Sequence, residues 1–446
     1  MDKSQVIASI KIAFCKVLAR IFYVKLILQL GKKGKQINKS SFKSIVHINS
    51  TDIVGGAAKI ANDLYSFQNK NGIKSSMLVK EKRLNNNTIQ EIKPNKTKLQ
   101  DFLKTGQKKL QWQDFFHLSS LELKNNTEIE NADIVHLHNI HGDYFSPFAV
   151  NELAKSKIVV WTLHDMQSFT GHCAHSYDCN KWQSVCGNCP SLTTYPWIDF
   201  DTSAFILKTK KQIYKKTDLY IVTPSNWLKD KVEKSILNHL PIYTIHNGIN
   251  TAIYHPQDKQ SCQEKLGIPK DKKVILFSAE RGLKNHFKGG EYIQNIIKNH
   301  SDYSLLFINI GGGNKIEKDD TLWSIPYIQD ALIMSMYYSA SDIYLYPSLA
   351  DNCPLVLLEA MACGLPIVTF QTGGIPELVL HMETGYVAKY KDAEDFNYGF
   401  NLLIKDKNLR TKMAENGIKR VTENFTSEIM NQKYISLYQS INQNVK

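Results

Sequence analysis

The sequence predicts an α/β protein built from two doubly wound, parallel-sheet domains in tandem. Three observations carry that prediction. The chain is 446 residues long with 43% hydrophobic and 10% aromatic content, more than one ordinary core holds. A strand, glycine-turn, helix pattern opens near Ser44 and is followed by further short apolar runs. A second series of such runs begins after Asn247-Gly248.

The N-terminal stretch Ile7 to Leu30 is apolar but carries Lys11, Lys16, Arg20 and Lys25, and no small-residue cleavage site precedes Gly31-Lys32-Lys33. It does not read as a cleaved signal. Its charges break every apolar run of the roughly 20 residues that a bilayer crossing needs. On a helical wheel Lys11 and Lys25 fall on one side and Lys16 and Arg20 on the other, so a membrane-surface helix and docking onto the protein both stay open.

Ser44 to Ile48 is a short apolar run leading through Asn49-Ser50-Thr51-Asp52 to Gly55-Gly56-Ala57-Ala58 and a helix-like stretch over 59–68. Glycines at a helix entrance let backbone amides approach a phosphate or sugar, because no Cβ intervenes. Ile134 to Leu137, Ile158 to Leu163 and Leu219 to Val222 read as further buried strands. In the second series the strands are Val274 to Phe277, Leu305 to Ile308, Ile343 to Tyr346 and Pro366 to Thr369. The polar stretches Leu84 to Asn87 and Asn95 to Lys98 read as surface loops.

Net charge is +13, which suits an anionic partner: phosphate, nucleic acid or a membrane face. A solvated lysine-rich surface explains the same number. Four of the eight cysteines, Cys173, Cys179, Cys186 and Cys189, crowd into one segment, while Cys15, Cys262, Cys353 and Cys363 are scattered. The scatter argues for a reducing, cytoplasmic compartment. The crowded four, ending in Cys-x-x-Cys, could hold a structural zinc that orders a loop, or stand as thiols or disulfides. His136, His138 and His141 raise the thought of a metal too, but they lie partly on an alternating strand, and zinc needs converging ligands and a second shell, so local cleft or packing roles are favoured.

The most informative stretch runs from Pro347 to Pro366. Asp351 and Glu359 stand either side of seven residues; Asn352 and Pro354 suit a helix start, Glu359 falls within that helix, and Gly364 ends it. A helix mouth beyond parallel strands favours an anionic group, and carboxylates beside it accept hydrogen bonds from sugar hydroxyls.

With Gly373-Gly374-Ile375-Pro376-Glu377 following, this stretch resembles glycosyltransferase family 4. The resemblance covers about Phe42 to Thr426. It implies a GT-B fold: two Rossmann-like, doubly wound domains facing a central cleft. The expected parts are a basic apolar extension over 1–41, an acceptor domain over 42–245, a nucleotide-sugar domain over 246–424, and a helix over 425–446 packing back on the first domain.

By the same resemblance Glu359 binds the donor ribose, and Asp351, aspartate where the family usually has glutamate, lies in the donor-sugar region. Arg281 and Lys288 hold the diphosphate, with Lys284 able to replace Arg281. Asn352, Gly374, Gly55 and Gly56 complete the donor-binding set. His164 and Asp165, after the strand ending at Leu163, are the active-site candidates of the first domain. Trp161-Thr162-Leu163-His164-Asp165-Met166, Phe169 to Cys173, Cys186-Gly187-Asn188-Cys189-Pro190 and His47-Ile48-Asn49-Ser50 are similar to a subgroup that builds colanic acid and related exopolysaccharides.

The implied activity is retaining transfer of a sugar from a nucleotide diphosphate donor to a lipid-linked or oligosaccharide acceptor. No cofactor is required for catalysis, the location is cytoplasmic, and the inner face of the plasma membrane is a candidate partner. A departing phosphate deprotonates the acceptor in such enzymes, so a glycosidase-like acid pair is not expected. Two other readings stay in view: a nucleotide-sugar epimerase or phosphorylase of the same fold, and a zinc-containing nucleic-acid binder. The last lacks any basic-aromatic stripe, so no nucleic-acid partner is expected.

Overall fold

A computed structural model describes residues 3–31, 42–279, 281–300 and 304–444. The chain divides into two units, Met1–Ile245 with Asn431–Lys446, and His246–Met430.

The first unit is organised by a seven-stranded sheet: β1 (Ser44–Thr51), β2 (Lys74–Glu81), β3 (Ile89–Glu91), β4 (Ile134–Leu137), β5 (Ile158–Thr162), β6 (Tyr220–Thr223) and β7 (Ile242–Thr244). The order is β3-β2-β1-β4-β5-β6-β7, with every pair parallel. β4 and β5 are buried along their whole length, as expected of strands covered on both faces. Strand order reverses between β1 and β4, so loops leaving their C-terminal ends border the crevice where such sheets bind ligands.

Sequence patterning missed β2, β3 and β7. β2 hides its apolar Met77-Leu78-Val79 behind two buried serines, Ser75 and Ser76. β3 and β7 are three-residue edge strands too short to show a pattern.

The second unit repeats the plan with β8 (Lys273–Ser278), β9 (Leu305–Ile310), β10 (Glu317–Lys318), β11 (Leu322–Ile325), β12 (Ile343–Tyr346), β13 (Ile367–Phe370) and β14 (Gly385–Ala388). The order is β10-β11-β9-β8-β12-β13-β14, and only the β10–β11 pair is antiparallel. Here the reversal falls between β8 and β12. Ile275, Phe277, Leu305, Phe307, Leu345 and Val368 fill its core.

Residues 3–31 of the N-terminal extension are described, and 32–41 lie outside the described residues. Lys3–Gln29 is one helix, and among the described residues no helix is long and apolar enough to cross a membrane. Its Cys15 and Ala19 are buried against the Lys98–Leu110 helix, where a Cβ on Gly106 would lie 2.4 Å from the Cys15 carbonyl oxygen. Glycine thus sets the closeness of that crossing. Tyr23 reaches further, its hydroxyl 3.1 Å from Thr209 Oγ1.

The opposite face of this helix carries Ile7, Ile10, Phe14, Val17, Ile21, Val24 and Leu28, all more than half exposed. Two apolar stripes on opposite sides cancel, which is why the wheel looked poorly polarised. The four basic residues fill the flanks between them.

Candidate active site

In the second unit the strands end in loops that gather the predicted donor residues. β12 delivers Ser348 and Asp351, and β8 leads through the short helical turns Gly282–Lys284 and His286–Lys288 to Lys288, with Gly289 just beyond it. One carboxylate oxygen, Asp351 Oδ2, accepts from Lys288 Nζ at 2.5 Å, Tyr346 OH at 2.6 Å and Ser348 Oγ at 2.6 Å. Burial alone would raise this carboxyl, but the Lys288 charge and the three hydrogen bonds hold it below the usual carboxylate range. The Tyr346 phenol moves the other way, upward, through burial and then the Asp351 charge.

Backbone geometry fixes these loops. Gly289 has φ 72°, and a Cβ there would meet the Pro347 carbonyl oxygen at 2.0 Å. Gly373, φ 58°, would place one 1.6 Å from the Asp351 carbonyl oxygen. Only glycine allows either approach. Gly374 N–H donates to that Asp351 carbonyl at 3.2 Å, which ties the glycine loop to the acid's own backbone.

The predicted helix is Leu355–Ala362, with Pro354 in the capping position and no side-chain cap; Asn352 is buried and is not the cap. Its first N–H groups have no capping side chain, a favourable arrangement for an anion. Glu359 is 2% exposed and accepts from Tyr338 OH at 3.1 Å, with Tyr254 also hydrogen-bonded to it. Arg281 is exposed, in a left-handed turn at φ 64°. Glu377 of the glycine loop pairs with His246 Nε2 at 2.8 Å, and Arg420 clamps the Glu377 and Leu378 carbonyls at 2.7 and 2.8 Å.

In the first unit, β1, β4 and β5 bring a second set together. Gly55, φ 90°, precedes the Gly56–Lys70 helix, which has no side-chain cap; a Cβ on either glycine would meet nothing within 4 Å. That entrance is open, as a backbone-amide site requires. His164 and Asp165 follow β5 and are both half-buried. Asp165 Oδ2 is 2.8 Å from His141 Nε2, and its Oδ1 accepts from Gln167 N–H at 2.8 Å. Burial would lift the Asp165 carboxyl, yet the His141 charge and these bonds bring it down to about 2. His141 rises in return: burial lowers it, and Asp165 more than compensates. Asp165 is therefore committed to His141.

His164 Nε2 lies 3.1 Å from His138 Nδ1, and burial pushes the His164 ring down to about 4. His136, His47 and His138 each bring one ring nitrogen within 4.8 Å of the other two. All six nitrogens already have hydrogen-bond partners: Gln68, Thr162, Tyr438, His164 and the rings themselves. That occupancy suits a hydrogen-bonded core better than a metal centre. Thr162 Oγ1 also meets Tyr434 OH at 2.9 Å, so the C-terminal helix supplies two phenols to this network.

Cys173, Cys179, Cys186 and Cys189 are free thiols lining one small pocket with His172, whose Nε2 is 3.3 Å from Cys189 Sγ. Burial pushes the Cys173 thiol up to about 12 and Cys186 up to about 11. Lys210 lies wholly buried nearby, with Nζ donating to the Gln167 and Thr170 carbonyls, and burial lowers it to about 8.

Sequence reasoning missed Lys210, Gln68, Tyr338, Tyr346 and the two C-terminal tyrosines as site components. Tyr434 and Tyr438 stand 272 and 302 positions from their partners, a separation no local pattern encodes. His47, on β1, and His138, one residue past the end of β4, are buried where an unpaired imidazole is costly, so each needs a partner.

Residues 258–420 match the family model described as glycosyl transferases group 1. The chain is 26% identical over 326 residues to the N-acetyl-alpha-D-glucosaminyl L-malate synthase of Bacillus anthracis, covering 70% of this chain and 76% of that one. It is 23% identical to the putative colanic acid biosynthesis glycosyl transferase WcaC of Escherichia coli K12, over 89% of this chain and 100% of that one. Among solved structures, Anabaena HepE in complex with UDP and glucose superposes with a TM-score of 0.62 at 13% identity, covering 89% of this chain and 99% of that one. The fold is that of the GT-B glycosyltransferases, two Rossmann-like α/β units each with a seven-stranded sheet.

Proposed function

We propose that this chain is a retaining glycosyltransferase that moves a sugar from a nucleoside diphosphate donor to a hydroxyl of a lipid-linked or polysaccharide acceptor, without a catalytic metal. The observation that carries the reading is the Lys288–Asp351 pair, set between glycine turns and an uncapped helix at the C-terminal ends of parallel strands. The group 1 family match spans this same region.

In the proposed reaction the bond from the sugar C1 to the diphosphate oxygen breaks as the bond from C1 to the acceptor oxygen forms on the same face. The acceptor proton passes to the departing phosphate. Negative charge gathers on the diphosphate, and Lys288, Arg281 and the backbone amides of the Leu355–Ala362 helix stabilise it. Glu359 holds the ribose hydroxyls. HepE, a UDP-binding neighbour, makes a uridine nucleotide the first donor to try. Resemblance to WcaC supports exopolysaccharide synthesis as the setting.

The deciding experiment is calorimetric titration of UDP, GDP, CMP and their common sugars into wild type and Glu359→Gln, a substitution that keeps side-chain shape. Selective binding weakened in the variant supports the donor site; a folded protein that binds none of them removes the reading. Donor consumption without acceptor would instead favour epimerisation.

Two parts of the reading concern the first unit. The exposed stripe of the N-terminal helix docks on an anionic bilayer at the inner face of the plasma membrane, which places this cytoplasmic enzyme beside its acceptor. Ile7 to Leu28 repeat at three and four residues over a length on the order of 30 Å. A second copy would fit that spacing, but coiled-coil pairing sets Arg20 against Lys25, and the helix contains no acid to relieve the repulsion. Anionic headgroups neutralise the same flanks. In the same reading the four-cysteine pocket takes a structural zinc: cysteine sulfurs suit that ion, its charge would overcome the upward shift of the buried Cys173 and Cys186 thiols, and the sulfurs, no three of which are gathered within 4.8 Å among the described residues, would draw together around it.

A further inference from the structure

Beside the histidine core, one other group among the described residues has three side chains that each bring a ligand atom within 4.8 Å of the other two: Asp114, His117 and Asp143. All three belong to the first unit. Asp114 and His117 lie between the Lys98–Leu110 helix and the helical turn Leu118–Leu121, and Asp143 lies in the loop that leaves β4. Backbone donors tie the two segments together: Asp143 N–H gives to Asp114 Oδ1 at 2.8 Å, and Gly142 N–H gives to Asp114 Oδ2 at 3.4 Å. Lys104 Nζ donates to Asp143 Oδ2 at 2.7 Å, and the other oxygen, Oδ1, is the one turned to His117.

These bonds leave His117 unexplained. The residue is 6% exposed, and its Nε2 is buried without a hydrogen bond. Two carboxylate oxygens face that nitrogen, Asp114 Oδ1 at 3.4 Å and Asp143 Oδ1 at 3.7 Å. A charge-assisted N–H···O bond closes to about 2.7–2.9 Å, so both separations are too long for one. Two donors that each stand about 2.1 Å from one ion, at right-angled to tetrahedral spacing, are about 3.0–3.5 Å apart. The Asp114 separation has that length, and the Asp143 side chain, 53% exposed, can reach it with a small turn.

We infer that Asp114, His117 and Asp143 hold a divalent first-row cation, with solvent completing its shell on the Asp143 side. One imidazole with two carboxylates suits manganese(II), which accepts mixed nitrogen and oxygen donors, whereas zinc(II) is drawn to thiolates. Lys104 serves as the outer partner that orients the Asp143 carboxylate. The ion fastens the loop after β4 to the 114–117 segment. That loop also carries His141, the partner of Asp165, so the ion steadies the pair without entering the transfer reaction. The inference does not depend on the donor-site reading.

The test is electron paramagnetic resonance of the chelator-stripped full chain titrated with manganese(II) chloride, in wild type, Asp143→Asn, His117→Gln and Cys186→Ser. Wild type should take up one equivalent and show spin-echo modulation from an imidazole nitrogen. Asp143→Asn, at the exposed side where folding is least at risk, should weaken binding at least about tenfold. His117→Gln should remove the nitrogen modulation, and Cys186→Ser should change neither signal. A folded wild type that binds no manganese at millimolar concentration, or binds it without nitrogen modulation, overturns the proposal and leaves His117 in a loose ion pair with its two acids. Binding unchanged in Asp143→Asn, or lost in Cys186→Ser, overturns it too, by placing the ion elsewhere.

Discussion

Lys288 Nζ and Asp351 Oδ2 lie 2.5 Å apart, although 63 positions separate them in the chain. The pair joins the loop after β8 to the loop after β12 across the point where strand order reverses, so one ion pair sets the spacing of the proposed phosphate-binding lysine and the acid near the helix mouth. A lysine held this way is pre-placed for a diphosphate, since its charge need not be ordered when the donor arrives.

Lys288→Met should therefore lower kcat/KM by about 10²-fold, the order expected for loss of one fixed stabiliser of leaving-group charge. Asp351→Asn keeps the shape and two neutral donors but frees the lysine. It should cost less turnover than the methionine change. Steady-state kinetics with the preferred donor checks both, and equal losses would mean that the acid has its own role in the chemistry.

Acid should unfold the first unit early. His47 and His164 are held at about 4 in the fold against 6.5 for a free ring, so between those values the unfolded chain binds more protons. Stability then rises with pH from about 4 to about 6.5 and is lost as pH falls through that window. The contribution is about 3 kcal/mol for each ring. Denaturant midpoints measured from pH 7 to 4.5 test this, and His47→Gln should flatten the slope.

Vesicle co-sedimentation reads the N-terminal helix. Wild type should bind phosphatidylglycerol vesicles, bind phosphatidylcholine vesicles weakly, and lose binding with rising salt. Ile21→Glu with Leu28→Glu, both on the exposed stripe, should abolish recovery with lipid and leave nucleotide binding unchanged. A concentration-dependent dimer that those changes dissolve would identify a second copy as the occupant instead.

Elemental analysis of protein purified without chelator should find close to one zinc per chain. Cys186→Ser should remove it and lower the melting temperature. Absence of zinc in wild type removes the zinc reading and leaves the pocket as four thiols.

Packing gives a sharper structural test. Gly106→Val puts a side chain where Cys15 O already stands 2.4 Å from an added Cβ, so the helix crossing must open. Overpacking of this kind costs about 1–3 kcal/mol, read as a lower denaturant midpoint. Proteolysis should then reach the Lys3–Gln29 helix first.

The sequence by itself determined the two-unit α/β plan, because buried parallel strands such as Ile134 to Leu137 and Ile343 to Tyr346 need continuous apolar runs. It also singled out Asp351, Glu359, Lys288 and His164 as candidates, because their motifs are local: a glycine turn, a helix start or a strand end lies within a few residues of each. Only the tertiary structure decided which of these groups touch. Asp351 turned out to be held by Lys288, Asp165 by His141, and His164 by a line of imidazoles reaching back to Gln68. It also divided the N-terminal helix into a buried face and an exposed one. The reason is the same in each case: alternation and helical period report that a side chain is buried, whereas its partner is fixed by sheet order and register, which bring together residues tens to hundreds of positions apart.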